Sequence, residues 1–149
     1  MPVDASLVGR TYPPSRAYEV GREKIREFAD ALRDRSPVYR DPEAAKALGY
    51  PDVVAPPTFP IVFVLDAAFA VIRDPEIGID FNRVVHGDQN FRYARPVRPG
   101  DRLVTTVAIA AVRSAAGNDI LTVECSSDTE EGEHVVTSTI TLVARGASE

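Results

Sequence analysis

The sequence predicts a single α+β domain over residues 1–149, with one long apolar helix wrapped by one antiparallel sheet. Three observations predict it. Apolar residues follow a helical period in the first half, the period falls to two after Asp80, and short turn signals separate the later segments. No internal repeat, low-complexity tract or linker divides the 149 residues, a length that accommodates one domain with a substantial core.

Taken in order, Ile25, Phe28, Ala29 and Leu32 fall at i, i+3, i+4 and i+7, predicting an amphipathic helix over Arg22–Arg33. Pro37 biases Ser36 away from helix, so the segment from Asp34 to Tyr39 is a loop. Asp41-Pro42 supplies an N-cap followed by proline at the first helical position, and Gly49 a stop, for a short helix Pro42–Leu48. Ala55-Pro56-Pro57-Thr58-Phe59-Pro60 opens a third helix, with Thr58 as its cap. The body from Ile61 to Ile72 is apolar nearly all round, which predicts burial inside the fold.

Val85–Tyr93, Leu103–Val112, Ile120–Ser127 and Val135–Val143 alternate as strands. Turn signals at Pro99-Gly100-Asp101, Gly117-Asn118 and Glu131-Gly132 predict that they form an antiparallel meander.

Composition narrows the function classes. Hydrophobic residues at 44% and charged residues at 26% are ordinary for a globular chain. A net charge of −5 argues against nucleic acid, although Arg83, Arg92, Arg95, Arg98 and Arg102 cluster within one stretch. The single cysteine, Cys125, forms no internal disulfide and has no metal-ligand spacing; it reads as a core residue. The opening MPVDASLVGR lacks the apolar core of a secretory signal, and the apolar run at 61–72 is too short to span a bilayer. A reducing cytoplasm is the expected location, with no metal and no cofactor.

Three motifs lie on this layout: Asp34-Arg-Ser-Pro-Val-Tyr39-Arg-Asp41-Pro42, Ala55-Pro-Pro-Thr-Phe59, and Arg95-Pro-Val-Arg-Pro-Gly-Asp101. In this order around a buried helix, the chain resembles the MaoC-like (R)-specific hydratase/dehydratase family, whose fold is the hot-dog. The resemblance covers roughly residues 15 to 145. The first motif matches the family's D-x-N-P-I-H-x-D-P and the third its x-P-V-x-x-G-D turn.

The resemblance implies a site. In catalytic members the aspartate and histidine of the first motif hold a water that adds to an enoyl thioester or leaves the (R)-3-hydroxy form. Asp34 matches the aspartate, Ser36 the asparagine, Pro37 the proline and Tyr39 the histidine. A phenol titrating near 10 is a poor base at neutral pH, so Tyr39 breaks the dyad and leaves Asp34 as a remnant. The family also presents a histidine-glycine pair at the entrance of the buried helix, whose amide polarises the thioester carbonyl. Pro56 and Pro57 stand there, and proline has no N–H; a shift of one residue puts Thr58 at that position and restores a donor.

The resemblance is closest to the non-catalytic, N-terminal-type dehydratase subunits of actinobacterial fatty-acid or mycolic-acid elongation. It implies a heteromeric (R)-3-hydroxyacyl-thioester dehydratase in which a second hot-dog chain carries the intact motif. Pro57, Thr58, Phe59, Phe63, Phe69 and His86 are the expected substrate-binding residues, the phenylalanines lining an apolar acyl tunnel. Arg92, Arg95 and Arg98 are expected to contact the phosphates of CoA or an acidic acyl carrier protein; the competing reading is that they keep strand edges soluble.

Several side chains admit two readings. Asp34 is either a surviving acid/base or a loop aspartate capping a turn, and His86 either pairs with Asp88 or is structural. His134, beside a hairpin turn, reads as solvated, and Asp66 either lines a cavity or faces solvent or a partner. For the whole molecule, the competing functions are a self-sufficient homodimeric hydratase and an acyl-thioester-binding protein without catalysis.

Overall fold

The computed structural model describes residues 2–146. Its elements are β1 (Tyr18–Glu19), α1 (Arg22–Ala31), α2 (Pro42–Ala47), α3 (Ile61–Arg73), β2 (Val84–Tyr93), β3 (Arg102–Ala115), β4 (Asn118–Thr129) and β5 (His134–Ala144). The strands form one antiparallel sheet in the order β1-β3-β4-β5-β2, with α3 packed across β3 and β4. This is the predicted α+β arrangement of a curled sheet around a helix.

The predicted signals place the helices well. On α1, Ile25 and Ala29 are buried, and the helix ends at Leu32, where Arg33 turns into the left-handed region at φ 58°. Asp41 caps α2 by accepting the Glu43 N–H at 3.0 Å, Pro42 occupies the first turn, and Gly49 leaves the helix at φ 93°. The expected cap of α3 is not Thr58. Pro60 holds that position without a side-chain bond, because Ile61, Val62 and Phe63 donate their N–H groups back to Thr58, Phe59 and Pro60 in a tight turn.

The core lies between α3 and the concave sheet face. Val64, Ala68, Val71 and Ile72 point into it at i, i+4, i+7 and i+8. They meet Leu103, Val107 and Ile109 of β3, Leu121, Val123 and Cys125 of β4, and Ile140 and Leu142 of β5. Each such aliphatic side chain stabilises by about 1.5–3 kcal/mol on burial. Asp66, Ala70 and Arg73 form an exposed stripe on the opposite side. The helix is therefore covered on one face within this chain and not wrapped all round as its composition predicts.

The meander expectation needs a correction too. β3, β4 and β5 do run as a meander, with Ala116 (φ 51°) and Gly117 (φ 77°) forming the first tight turn. The first long strand, β2, crosses over and pairs with β5 instead of β3. Residues 94–101 are too long and proline-rich for a hairpin, and they carry the chain across the end of the sheet. β2 therefore occupies an edge, its outer side unpaired.

The other edge is covered. Residues 9–15 run along β3, with Gly9, Tyr12 and Ser15 donating to the carbonyls of Ile109, Val107 and Thr105. Pro13 and Pro14 have no N–H to give, so the pairing stays intermittent and regular strand appears only at Tyr18–Glu19.

Candidate functional site

The first motif forms a 3-10 turn, Pro37–Tyr39, between α1 and α2. Val54 donates its N–H to Val38 at 3.1 Å and Ala55 donates to Val97 at 2.8 Å, drawing the second motif between the first and the third. All three motifs thus meet at one end of the sheet. Tyr93, the last residue of β2, donates its hydroxyl to the Pro57 carbonyl at 2.6 Å and fixes the proline entrance of α3 to the strand.

The junction leaves a cleft of about 490 Å³, walled by Val38, Tyr39, Leu48, Tyr50, Pro57 and Tyr93 among others. The structure thus brings Tyr39 and Pro57 together. Tyr50 and Tyr93 are lining residues that the motifs do not point to; in the sequence Tyr93 is legible only as an inward-facing strand position.

Tyr39 is half-buried, and burial pushes its phenol above the ordinary tyrosine value, with the Asp34 carboxylate and then Tyr50 adding to the shift. It holds its proton more tightly than free tyrosine, so even less phenolate is present near neutral pH to accept a proton. Burial likewise raises Tyr93. The Asp34 carboxylate accepts the Ser36 N–H at 3.0 Å, closing a turn, and is absent from the cleft wall. Arg40 donates to the Asp34 carbonyl at 2.5 Å and to the Asp30 carboxylate at 2.6 Å, locking that turn. The turn-capping reading of Asp34 therefore accounts for its geometry, and no dyad is assembled. At the helix entrance the N–H groups of residues 61–63 are spent internally; the Thr58 N–H has no acceptor among the described residues.

The remaining predicted residues disperse. Phe59 is fully buried in the core, packed edge-on against Phe28 at 5.5 Å and Phe63 at 6.4 Å, and is outside the wall of the Tyr39 cleft. Phe63 stacks on Tyr18 at 5.3 Å and faces a separate groove of about 870 Å³ between the exposed stripe of α3 and residues 13–19. Asp66 lines that groove and is exposed to solvent there. Phe69 sits 6.0 Å from Phe81 at the far end of β2. His86 is exposed on the edge strand, with Nε2 3.1 Å from the Gln89 amide oxygen and no bond to Asp88.

The arginines divide into two groups. Arg95 forms a two-pronged pair with the buried Asp101, both bonds at 2.9 Å, and reaches Glu133 at 2.7 Å. These partners raise its ordinary value and hold Glu133 below the usual carboxylate range. A guanidinium so occupied holds the turn in place, and Arg95 also lines the cleft. Arg102 is paired with Glu19 and Glu130. Arg92 and Arg98 have no ion pair among the described residues.

His134 is not simply solvated: Nδ1 lies 2.6 Å from Asp128 and Nε2 3.0 Å from the Thr137 hydroxyl, on the outer sheet face. Burial pushes the Cys125 thiol up to about 12, so it is no nucleophile. Among the described residues, no group of three or more His, Cys, Asp or Glu is placed to hold a metal ion, and no helix is long and apolar enough to cross a membrane.

Comparison with known proteins places this geometry. A family model for the FAS1-like dehydratase domain region matches residues 6–138. A UPF0336 protein of Streptomyces coelicolor is 61% identical over 149 residues, covering 100% of this chain and 99% of the relative. A solved MaoC-like dehydratase is 34% identical with a TM-score of 0.87, covering 95% of this chain; the chain spans only 43% of that protein. The C-terminally truncated HadBC (3R-hydroxyacyl-ACP dehydratase) complex from Mycobacterium tuberculosis matches at 33% identity and a TM-score of 0.82, over 92% of this chain and 96% of that one.

Proposed function

The chain belongs to the FAS1-like dehydratase-region family of MaoC-like hot-dog domains and to the UPF0336 group, and from that membership we propose that it is the non-catalytic subunit of a heteromeric (R)-3-hydroxyacyl-thioester dehydratase. The observation that carries this reading is the disarmed dyad: Tyr39 is a phenol that burial keeps protonated near neutral pH, and the Asp34 carboxylate is turned onto the Ser36 N–H.

Hydration of an enoyl thioester needs a group that takes a proton from water near neutral pH and returns one to the adjacent carbon. In this reading the partner's Asp/His pair does both. The present chain supplies the surfaces around it: an apolar cleft at Tyr39 and Pro57, and a sheet edge, β2, able to extend into a second sheet. Arg92 and Arg98, without ion pairs among the described residues, offer positive charge to a CoA phosphate or an acidic carrier protein. The likeness to HadBC, a 3R-hydroxyacyl-ACP dehydratase complex by description, supports a partnered arrangement. A self-sufficient hydratase would require another base, and His86, bonded to Gln89 on an exposed edge, is not presented to the cleft.

The purified chain alone is expected to leave crotonyl-CoA unhydrated above the buffer rate. Co-purified with a hot-dog chain of the same genome carrying intact D-x-N-P-x-H, it should turn the substrate over at least ~100-fold faster, the lower range of acid–base catalysis. Robust turnover by the lone chain, abolished by Asp34→Asn, would overturn the proposal.

A further inference from the structure

Away from the cleft, a second group of reactive side chains gathers at the β4–β5 hairpin. β4 alternates regularly there: Ser126 and Asp128 stand on the outer face, and Ser127 between them is buried. β5 does not alternate. His134 pairs with Asp128 and Val136 with Ser127, so Val135 is an extra residue with no partner on β4. Val135 and Val136 are both fully buried, and this bulge carries His134 to the same face as Thr137. In a regular strand, residues three apart stand on opposite faces.

The bulge lines up three groups. His134 Nδ1 lies 2.6 Å from the Asp128 carboxylate and 3.4 Å from the Ser126 hydroxyl, while Nε2 lies 3.0 Å from the Thr137 hydroxyl. An ionised carboxylate only accepts, so in the neutral imidazole Nδ1 carries the hydrogen toward Asp128. Nε2 is then left to accept from the Thr137 hydroxyl. Orienting carboxylate, base and hydroxyl in that order is the arrangement that activates a weak oxygen nucleophile. Solvent reaches the group, since the His134 and Asp128 side chains are each 42% exposed and Thr137 is half-buried. Arg92 of β2 is the ladder partner of Thr137, exposed and without an ion pair among the described residues. Such partners stand about 4.5–5.5 Å apart at Cα on one face, which puts a guanidinium within reach of negative charge developing beside Thr137.

We propose that Thr137 is an acyl-acceptor site that takes an acyl group from a thioester such as an acyl-CoA. A thioester suits this exposed nucleophile because a thiolate leaves more readily than an alkoxide. The Thr137 oxygen attacks the thioester carbonyl carbon as its proton passes to His134 Nε2, and Asp128 holds the imidazolium so formed. Arg92 faces the carbonyl oxygen as it becomes negative. The carbon–sulfur bond then breaks, and the leaving sulfur takes the proton back from Nε2. The products are an O-acyl threonine and a free thiol. None of these residues lines the Tyr39 cleft, so the site stands apart from the heteromeric reading.

The test incubates the purified chain with acetyl-CoA and follows it by intact mass and peptide mapping. A single acetyl group is expected, on the peptide holding Thr137, with release of an equal amount of CoA thiol. Thr137→Val keeps the β-branched shape that suits a strand and should abolish that adduct. His134→Gln should slow acetylation at least ~100-fold, the lower range for loss of a general base. Asp128→Asn, which removes the charge that orients the imidazole, gives the same reading should His134→Gln fail to fold. No adduct at all, an adduct confined to lysines or the N-terminus, or acetylation of Thr137 at an unchanged rate in the folded His134 or Asp128 variant overturns the inference. The cluster is then only a clamp on the hairpin. Either outcome leaves the heteromeric reading as it was, because crotonyl-CoA hydration does not pass through these residues.

Discussion

Asp101→Ala lowers the unfolding free energy by about 3 kcal/mol, the lower end of the cost of removing one partner from a buried ion pair, because Asp101 is buried and Arg95 only partly so. Asp101 is 7% exposed, and its carboxylate receives both Arg95 Nη1 and Nη2 and the Arg98 backbone N–H, each at 2.9 Å. Alanine leaves the half-buried Arg95 guanidinium with only the exposed Glu133 and the Pro96 carbonyl for company. The turn also holds the start of the helical layer, because Val20 donates to the Asp101 carbonyl and Gly100 donates to Val20, both at 2.9 Å. With a urea m-value of about 2 kcal/mol/M, the midpoint should fall by roughly 1.5 M. Asp101→Asn, which keeps the shape and loses the charge, should fall between. The measurement is a urea titration by far-UV circular dichroism at fixed protein concentration, since association would shift the midpoint. An unchanged midpoint would mean that Arg95 is held by other contacts and is available to ligand after all.

Phe59→Ala should destabilise by a comparable amount, about 3–5 kcal/mol, through lost transfer energy and the cavity left behind. Phe59 has no exposed surface and is packed between the rings of Phe28 and Phe63, where α1, the proline entrance and α3 converge. Phe59→Leu, which fills most of the volume, should cost less than about 1.5 kcal/mol. The same denaturant titration separates a core residue from a tunnel wall. Were Phe59 a wall, alanine would widen the tunnel and extend acyl length with little change in midpoint.

Much of the fold is legible in the sequence because its signals are local. Asp41-Pro42 and Gly49 bracket α2 through capping geometry that needs nothing beyond neighbouring residues. Alternation locates β3, β4 and β5 because each buries one face, and β2 is located by the same period although none of its residues is fully buried. What is not legible depends on partners distant in sequence. Alternation says that a strand has an inner face but not which strand lies beside it, so it does not reveal the crossover of β2 to β5. The two-residue strand Tyr18–Glu19 carries no periodicity of its own and exists only because β3 offers an edge. The apolar girth of α3 misleads for a related reason: Val62 and Ala70 look like core but lie toward the open groove.

The site divides in the same way. Motif position alone picks out Tyr39 and Pro57, and folding brings them to one cleft. Residue type groups the phenylalanines, yet Phe59, Phe63 and Phe69 point into a core, a groove and a strand end respectively. Nearness in sequence groups the arginines, while the acidic residues that occupy Arg95 and Arg102 come from other segments: Glu133 and Asp101 for one, Glu19 and Glu130 for the other. Side-chain identity predicts chemistry, but folding decides whether a partner has already claimed it.

In the proposed assembly this chain shapes a dehydratase without performing its proton transfers. The most direct measurement is crotonyl-CoA hydration by the assembled complex carrying Tyr39→Phe and Asp34→Asn together. Phenylalanine keeps the ring, and asparagine keeps an oxygen for the Ser36 N–H, so the turn that Asp34 now closes should survive. The predicted result is a kcat within about twofold of the unsubstituted complex, while alanine at the partner's motif histidine abolishes turnover. A fall of ~100-fold or more in the double variant, with the complex still assembled, would place acid–base chemistry on this chain and contradict the account.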